Sequence, residues 1–169
     1  MPVLIENIVS QLNAIQREKV WVGQNFETSL SSLSEEQAFT KIHGLHSVAE
    51  VISHLTAWRN ETILKVKSGA GRLTEDAEEN WLPNDRLKEI GWKKIQADYE
   101  TSLTDLTRIL LEKDDDFLKQ KYFDPDFKGY FDFSFVIQGM LHHDIYHLGQ
   151  LGIIIKFLNL GNTGDQPLG

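Results

Sequence analysis

Three histidines fall within six positions of the segment HHDIYHLGQ, residues 142–150. In an α-helix, His143 and His147 lie one above the other, on a stripe whose other members are apolar. Two imidazoles at positions i and i+4 can offer two nitrogens to a single metal ion. His142 is turned about 100° away from this stripe. The segment therefore predicts two of the ligands of a metal site.

A metal site needs a third ligand, and His54 is the candidate. It lies within a second helical segment, beside an apolar stripe made of Val51, Ile52, Leu55 and Trp58. A bundle that packs this helix against the last one would bring the three rings together. Burying three imidazoles without partners costs several kcal/mol, and a shared cation removes that penalty. The alternative is that the three are separate core residues, each with its own hydrogen bonds.

The remaining histidines are weaker candidates. His43 and His46 lie in a loop and before a helix cap, so with His142 they are reserve ligands only. Gln150, near the metal-facing stripe, is a candidate to hydrogen-bond a ligand. Glu61 lies about two turns after His54 and is either a group that orients a ligand or accepts a proton, or an exposed helix glutamate.

Composition narrows the class of protein. The chain has 169 residues, no Cys and a net charge of -8, without a basic block that could follow a phosphate backbone. Cys-ligated zinc, a catalytic Cys and nucleic-acid binding are therefore not expected. The N-terminus lacks the pattern of a signal peptide, and no apolar stretch is long enough to span a bilayer. We expect a cytoplasmic protein with a single domain over residues 1–160 and a C-terminal tail over 161–169.

The apolar periodicity predicts an all-α protein built as a four-helix bundle. Ser47 and Glu50 form a capping-box pattern at the start of the second helix. Ser134 is the expected N-cap of the last helix, and Gly161 its stop. The predicted helices cover residues 4–33 with a break near Gly23, 48–67, 86–113 and 135–160.

Residues 117–133 are rich in aromatic side chains and contain turn signals at Pro125 and Gly129. They predict either a packed loop or a short hairpin. The aromatic rings could cover an edge of the core or form a lid over a ligand. The same segment is not an EF-hand, because Phe135 stands where a calcium loop requires a bidentate glutamate.

Three segments carry a resemblance to a known family. HSVAEVISHLTAWRNE (46–61) and GMLHHDIYHLGQLGIIIKFL (139–158), together with VWVGQNFETSLSSLSEEQAF (20–39), resemble the DinB-like superfamily, which includes the YfiT-type proteins. The resemblance covers nearly the whole chain in the same order. It implies a four-helix bundle that binds a divalent metal, zinc or nickel, through one histidine of the second helix and two of the last. By position these are His54, His143 and His147.

The resemblance implies two classes of function. The first is an enzyme on a small-molecule substrate, either a metal-dependent hydrolase or an S-transferase that uses a low-molecular-weight thiol as cosubstrate. The second is a non-catalytic, stress-associated metal-binding or interaction protein. The absence of Cys agrees with a borrowed thiol. The resemblance also implies a homodimer.

Overall fold

The computed structural model describes residues 3–162. Most of these residues are helical, and one two-stranded hairpin interrupts the helical order. In chain order the elements are α1 Val3–Arg17, α2 Phe26–Leu30, α3 Glu35–Phe39, α4 Val48–Ser68, α5 Asn84–Ile90, α6 Trp92–Leu111, β1 Lys121–Asp124, β2 Gly129–Asp132 and α7 Phe133–Asn162.

The four long helices α1, α4, α6 and α7 form the bundle. α1 packs against α6 and α7, and α4 packs against the same two helices, so the four surround one continuous apolar core. Fully buried side chains from each of the four helices, including Leu12, Leu55, Leu106 and Leu151, belong to this core. The predicted all-α four-helix bundle is confirmed.

The start of α4 follows the predicted capping box. The Ser47 hydroxyl accepts a hydrogen bond from the Glu50 backbone N–H at 3.2 Å, and the Ser47 N–H donates to the Glu50 carboxylate at 2.9 Å. Two backbone donors at the helix start are thereby satisfied. α4 ends at Ser68 and is capped by Gly69, whose φ of 72° is a left-handed conformation that glycine adopts at little cost.

The other predicted helix boundaries need correction. The single helix predicted over residues 86–113 is two helices, α5 and α6, because Gly91 with φ 87° breaks the helical path. The predicted break near Gly23 lies within residues 18–25, which separate α1 from α2, but the arm ends at Leu30 rather than at residue 33.

Both predicted ends of α7 are wrong. The helix begins at Phe133, so Ser134 lies inside it rather than capping it, and it continues through Gly161 to Asn162. The end of the predicted tail, residues 163–169, lies outside the described residues.

The aromatic segment forms the hairpin rather than a packed loop. β1 and β2 are antiparallel, with Tyr122 paired to Phe131. The hairpin is tied to the loop after α4, because the Phe123 N–H donates to the Gly69 carbonyl at 2.9 Å and the Gly71 N–H donates to the Phe123 carbonyl at 3.1 Å. Among the described residues, no helix is both long and apolar enough to cross a membrane.

One buried polar chain connects all four bundle helices. Arg59 of α4 donates through Nη2 to Oδ2 of Asp144 on α7 at 2.6 Å, and neither side chain is accessible to solvent. Arg59 also donates to the hydroxyl of Tyr99 on α6 at 3.1 Å, and that hydroxyl donates to Gln16 on α1 at 2.8 Å. Each helix of the bundle therefore contributes one member.

We predict that Asp144→Asn lowers the free energy of unfolding by about 3 kcal/mol, because it leaves the Arg59 charge buried without a counter-ion. Asp116→Asn is the matched control, since Asp116 forms an exposed pair with Lys119 and its loss should change stability by less than about 0.5 kcal/mol. Urea unfolding at neutral pH measures both. Equal midpoints for the two variants would contradict the prediction.

Candidate metal centre

α4 and α7 bring three imidazole rings to one point. The Nε2 atom of His143 lies 3.0 Å from Nε2 of His54 and 3.1 Å from Nε2 of His147. Each of the three side chains offers one nitrogen, and these nitrogens all lie within 4.8 Å of one another, close enough to share a metal ion. The i and i+4 spacing on α7 places two of the rings, and the packing of α4 against α7 supplies the third.

The outer nitrogens of two rings are held by oxygen atoms. His54 Nδ1 donates to the backbone carbonyl of Asn80 at 3.0 Å. His147 Nδ1 lies 2.7 Å from Oε1 of Gln150. A neutral imidazole carries one N–H, so when Nδ1 donates a hydrogen bond, Nε2 of the same ring has a free lone pair. Two lone pairs are therefore aimed at the point where the rings meet.

This arrangement leaves an imbalance that a cation resolves. His143 Nε2 can donate a proton to one of the two neighbouring lone pairs, but not to both. His143 Nδ1, which has no hydrogen-bond partner among the described residues, can carry the ring proton instead and leave Nε2 free to bind a cation. Three neutral imidazole nitrogens are a donor set that divalent transition metals accept, so the residues fit a metal ion.

Burial keeps the three rings neutral. Loss of solvent lowers the pKa of His54 to about 4 and the pKa of His143 to about 3, and it also lowers the pKa of His147. Repulsion from the neighbouring histidines adds to the effect at His54 and His143. The rings are therefore unprotonated at neutral pH, which is the form that binds a metal.

The loop between α4 and α5 fixes His54 from outside. Trp81 stacks flat on the His54 ring, with 3.8 Å between ring centroids, and its other face stacks on His46 at the same distance. The Asn80 side chain accepts a hydrogen bond from the indole of Trp58 at 2.8 Å and donates to the Glu75 carbonyl at 2.7 Å. The same loop therefore fixes the plane of the His54 ring, through Trp81, and supplies the hydrogen-bond acceptor for its Nδ1, through Asn80.

The structure separates the other candidate residues. Gln150 contacts His147, as the sequence suggested. Glu61 is buried, not exposed, and it lies away from the histidines, where its carboxylate accepts a hydrogen bond from the Arg72 N–H at 2.7 Å. His142 and His43 are exposed, and His46 meets Trp81 rather than the three rings.

The three rings open onto a cavity of about 540 Å³ between α4, α7 and the hairpin. α4 contributes His54, Trp58, Thr62 and Lys65 along one face, and α7 contributes a matching face that includes Val136, Met140, His143 and His147. The aromatic segment forms another wall, with Tyr122 and Phe127 from the hairpin and Phe135 from the start of α7.

Several residues at this site were not predicted. Trp81 and Asn80 follow no recognisable motif, and their roles depend on the path of a loop. Lys65 and Asp124 read as ordinary charged residues in the sequence, yet they are buried and paired at 2.9 Å. The signal that was available for Lys65 is its helical phase, since positions 54, 58, 62 and 65 share one face of α4.

Residues 18–151 match the model of the protein family described as the DinB superfamily. The matched range includes the three histidines, Trp81 and Gln150. No curated protein matches the chain.

Proposed function

The chain belongs to the DinB superfamily, and from that premise we propose that it binds one divalent metal ion through His54, His143 and His147. We further propose that it is an enzyme that acts on a small molecule in the adjoining cavity. The observation that carries the proposal is the convergence of three neutral Nε2 atoms at the wall of an accessible cavity. Zinc and nickel are the metals we favour, since both accept imidazole ligands.

A divalent ion held by three imidazoles would keep a coordination position for a small molecule and would lower the pKa of a thiol or water bound there. The chain's own residues orient the ligands. Asn80 and Gln150 hold two imidazoles through Nδ1, and Trp81 fixes the plane of His54. An oxygen atom that accepts the Nδ1–H of a histidine raises the affinity of that histidine for a metal bound at Nε2.

The reaction we favour is S-transfer from a low-molecular-weight thiol to an electrophile. Among the described residues, no carboxylate hydrogen-bonds any of the three rings, and the chain has no Cys of its own. Thiol transfer needs only that the thiol lose its proton to solvent, that sulfur bond to the electrophilic carbon, and that the leaving group depart with its electron pair. It therefore makes smaller demands on side-chain acids than hydrolysis, in which a leaving group is commonly protonated by a positioned acid.

A hydrolase is the second candidate. His46 lines the same cavity and pairs with Glu50, so it is a group that could exchange protons with a substrate. The non-catalytic alternative, a stress-associated metal-binding or interaction protein, would favour a sealed site with a fourth protein ligand. The open cavity supports catalysis instead, as do the exposed positions of His43 and His142 outside the group of three histidines. A thiol cosubstrate implies a reducing compartment, and we propose the cytoplasm.

We also propose that the protein is a homodimer that pairs through the outer face of α7. This face carries Ile145, Ile153 and Phe157, which are 47%, 55% and 45% exposed. Apolar side chains grouped on one helix face commonly mark an interface.

The metal site is tested by elemental analysis of protein purified without an affinity tag. We expect about one zinc or nickel ion per chain. His54→Ala should weaken the affinity more than about 100-fold, since loss of an outer partner alone costs about 10- to 100-fold. His142→Ala, which changes an exposed histidine on the same helix as the other two, should bind like the unaltered protein. Equal metal content in the two variants would remove the proposed site.

The S-transferase reaction is tested by measuring thiol loss with monobromobimane, using bacillithiol, mycothiol, glutathione and cysteine in turn. We expect zinc- or nickel-loaded protein to accelerate the reaction of at least one thiol by tenfold or more over metal-free protein, and His143→Ala to lose the acceleration. If no thiol responds, S-transfer is excluded. Metal-dependent hydrolysis of a panel of esters and amides would then favour the hydrolase, and its absence the non-catalytic alternative.

The homodimer is tested by light scattering after size-exclusion chromatography. We expect a dimer that becomes a monomer when Ile145 and Ile153 are both changed to Glu, because two buried carboxylates would oppose pairing. Leu111→Glu is the control, since Leu111 is similarly exposed at 54% but lies on α6. A monomeric unaltered protein would refute the pairing.

A further inference from the structure

The cavity has a second polar end, remote from the histidines. Lys65, Asp124 and Tyr122 line it there, and we call these three residues the distal end. Lys65 follows His54 by eleven positions on α4, which corresponds to about three turns or 16 Å along the helix axis. All three side chains are buried. A molecule that reaches from the histidines to the distal end must therefore be elongated.

The hydrogen bonds of Asp124 are complete. Its Oδ2 atom accepts from Lys65 Nζ at 2.9 Å and from the Tyr122 hydroxyl at 3.0 Å. Its Oδ1 atom accepts from the backbone N–H groups of Asp126 at 3.0 Å and Phe127 at 3.2 Å. Burial alone would raise the pKa of this carboxyl, but the hydrogen bond and charge of Lys65 and the backbone donors lower it, so Asp124 stays ionised at neutral pH.

The hydrogen bonds of Lys65 are not complete. An ammonium group has three protons, and among the described residues Nζ makes one hydrogen bond, to Asp124. The Glu61 carboxylate, at 3.8 Å, is close enough for an ion pair but beyond hydrogen-bond distance. The Trp58 and Tyr122 rings, with centroids 5.6 and 5.5 Å from Nζ, make cation–π contacts but accept no hydrogen bond from it. A buried donor with spare protons is best satisfied by an acceptor atom. The unused capacity at the distal end is therefore for an oxygen acceptor.

The charge of the distal end selects against ions. The one positive charge of Lys65 faces Asp124 and Glu61, and Glu75 and Asp126 add two carboxylates to the cavity lining. A carboxylate or phosphate on a ligand would meet an excess of negative charge. An ammonium has no lone pair to accept the spare protons of Lys65, it is repelled by the Lys65 charge, and Asp124 is already saturated. An uncharged amide, alcohol or carbonyl oxygen is the group that fits.

The middle of the cavity is apolar. Trp58, Val136, Phe135 and Met140 line it between the two polar ends. Gly139 also lines it, and a Cβ atom added there would meet no atom within 4 Å. A larger side chain at position 139 would therefore project into open space and occupy the cavity without displacing the helix.

We propose that the cavity binds an elongated, uncharged small molecule with an apolar middle, whose acceptor oxygen is held by Lys65 while its reacting end meets the histidines. The identity of the reacting end rests on the proposed metal site, whereas the distal contact does not. The substrate class is therefore an apolar compound with an amide, alcohol or carbonyl group at one end, and anionic substrates are excluded.

The test uses four eight-carbon thiols that differ only in the far end: 8-mercaptooctanamide, octane-1-thiol, 8-mercaptooctanoate and 8-aminooctane-1-thiol. Binding to metal-free and to zinc-loaded protein is followed by the fluorescence of Trp58 and Trp81, which line the cavity, and by calorimetry. The chain has no Cys, so the thiols cannot form disulfides with it. We expect the amide to bind at least tenfold more tightly than the carboxylate and the amine in both forms of the protein.

Two variants isolate the distal contact. In the double variant Lys65→Met with Asp124→Asn, which removes both charges of the pair, the affinity of the amide relative to octane-1-thiol should fall about tenfold. Gly139→Leu should weaken all four thiols while leaving zinc content unchanged. The comparison of amide with carboxylate in the unaltered protein decides the question even if the double variant fails to fold.

The outcomes separate this inference from the proposed function. Carboxylate binding as tight as amide binding, or a relative affinity unchanged in a folded double variant, overturns the distal contact. If zinc gives no gain for any thiol but the amide preference persists, the inference stands and the metal-dependent function fails. If zinc tightens the binding of the thiols but the amide is not preferred, the metal site stands and the distal contact fails.

Discussion

The position of the three histidines depends on the buried ion pair between Arg59 and Asp144. Asp144 is the neighbour of His143 on α7, and Arg59 follows His54 by five residues on α4. The pair therefore fixes how far α4 has slid along α7 at the level of the imidazoles, and its extension through Tyr99 and Gln16 also includes α6 and α1. An apolar contact would tolerate small shifts of one helix along another, but a bonded and fully buried charge pair does not.

Such a pair contributes more to uniqueness than to stability. Taking two charges out of water costs several kcal/mol each, and their attraction repays this only when the geometry is good and the other hydrogen bonds are made. Arg59 donates to Asp144 through both Nε and Nη2 and also reaches Tyr99, but Asp144 Oδ1 has no partner among the described residues. Shifting one apolar layer along another would therefore cost less free energy than separating Arg59 from Asp144. The ion pair thus holds α4 and α7 in the one alignment that brings the histidines together.

The sequence predicted the parts of this arrangement that follow from local periodicity. The i and i+4 pair on α7, the capping box at Ser47 and the helical face that carries His54 are all readable from spacing. The break at Gly91 was missed because glycine inside a helical pattern is often tolerated, and its left-handed backbone is a property of the fold. The burial of Arg59, Glu61 and Lys65 was missed for another reason. Charged residues on a helix usually face solvent, and only the partners Asp144, Arg72 and Asp124, distant in sequence, make burial possible.

The charged residues that line the cavity and the three histidines lie at different ends of it. Asp124 and Asp126 lie in the hairpin, and Glu75 lies in the loop after α4, where its N–H donates to Asp126. Asp124 pairs with Lys65 of α4, about three turns from His54. The rings themselves are fixed by a backbone carbonyl, an amide and an indole, all of them neutral. A cation bound by neutral donors retains its full charge, so its effect on a bound thiol or water is larger than it would be with carboxylate ligands. Asp124 and Asp126 thus lie where the hairpin meets α4, whereas the hydrogen bonds to the rings at the histidine end come from neutral groups.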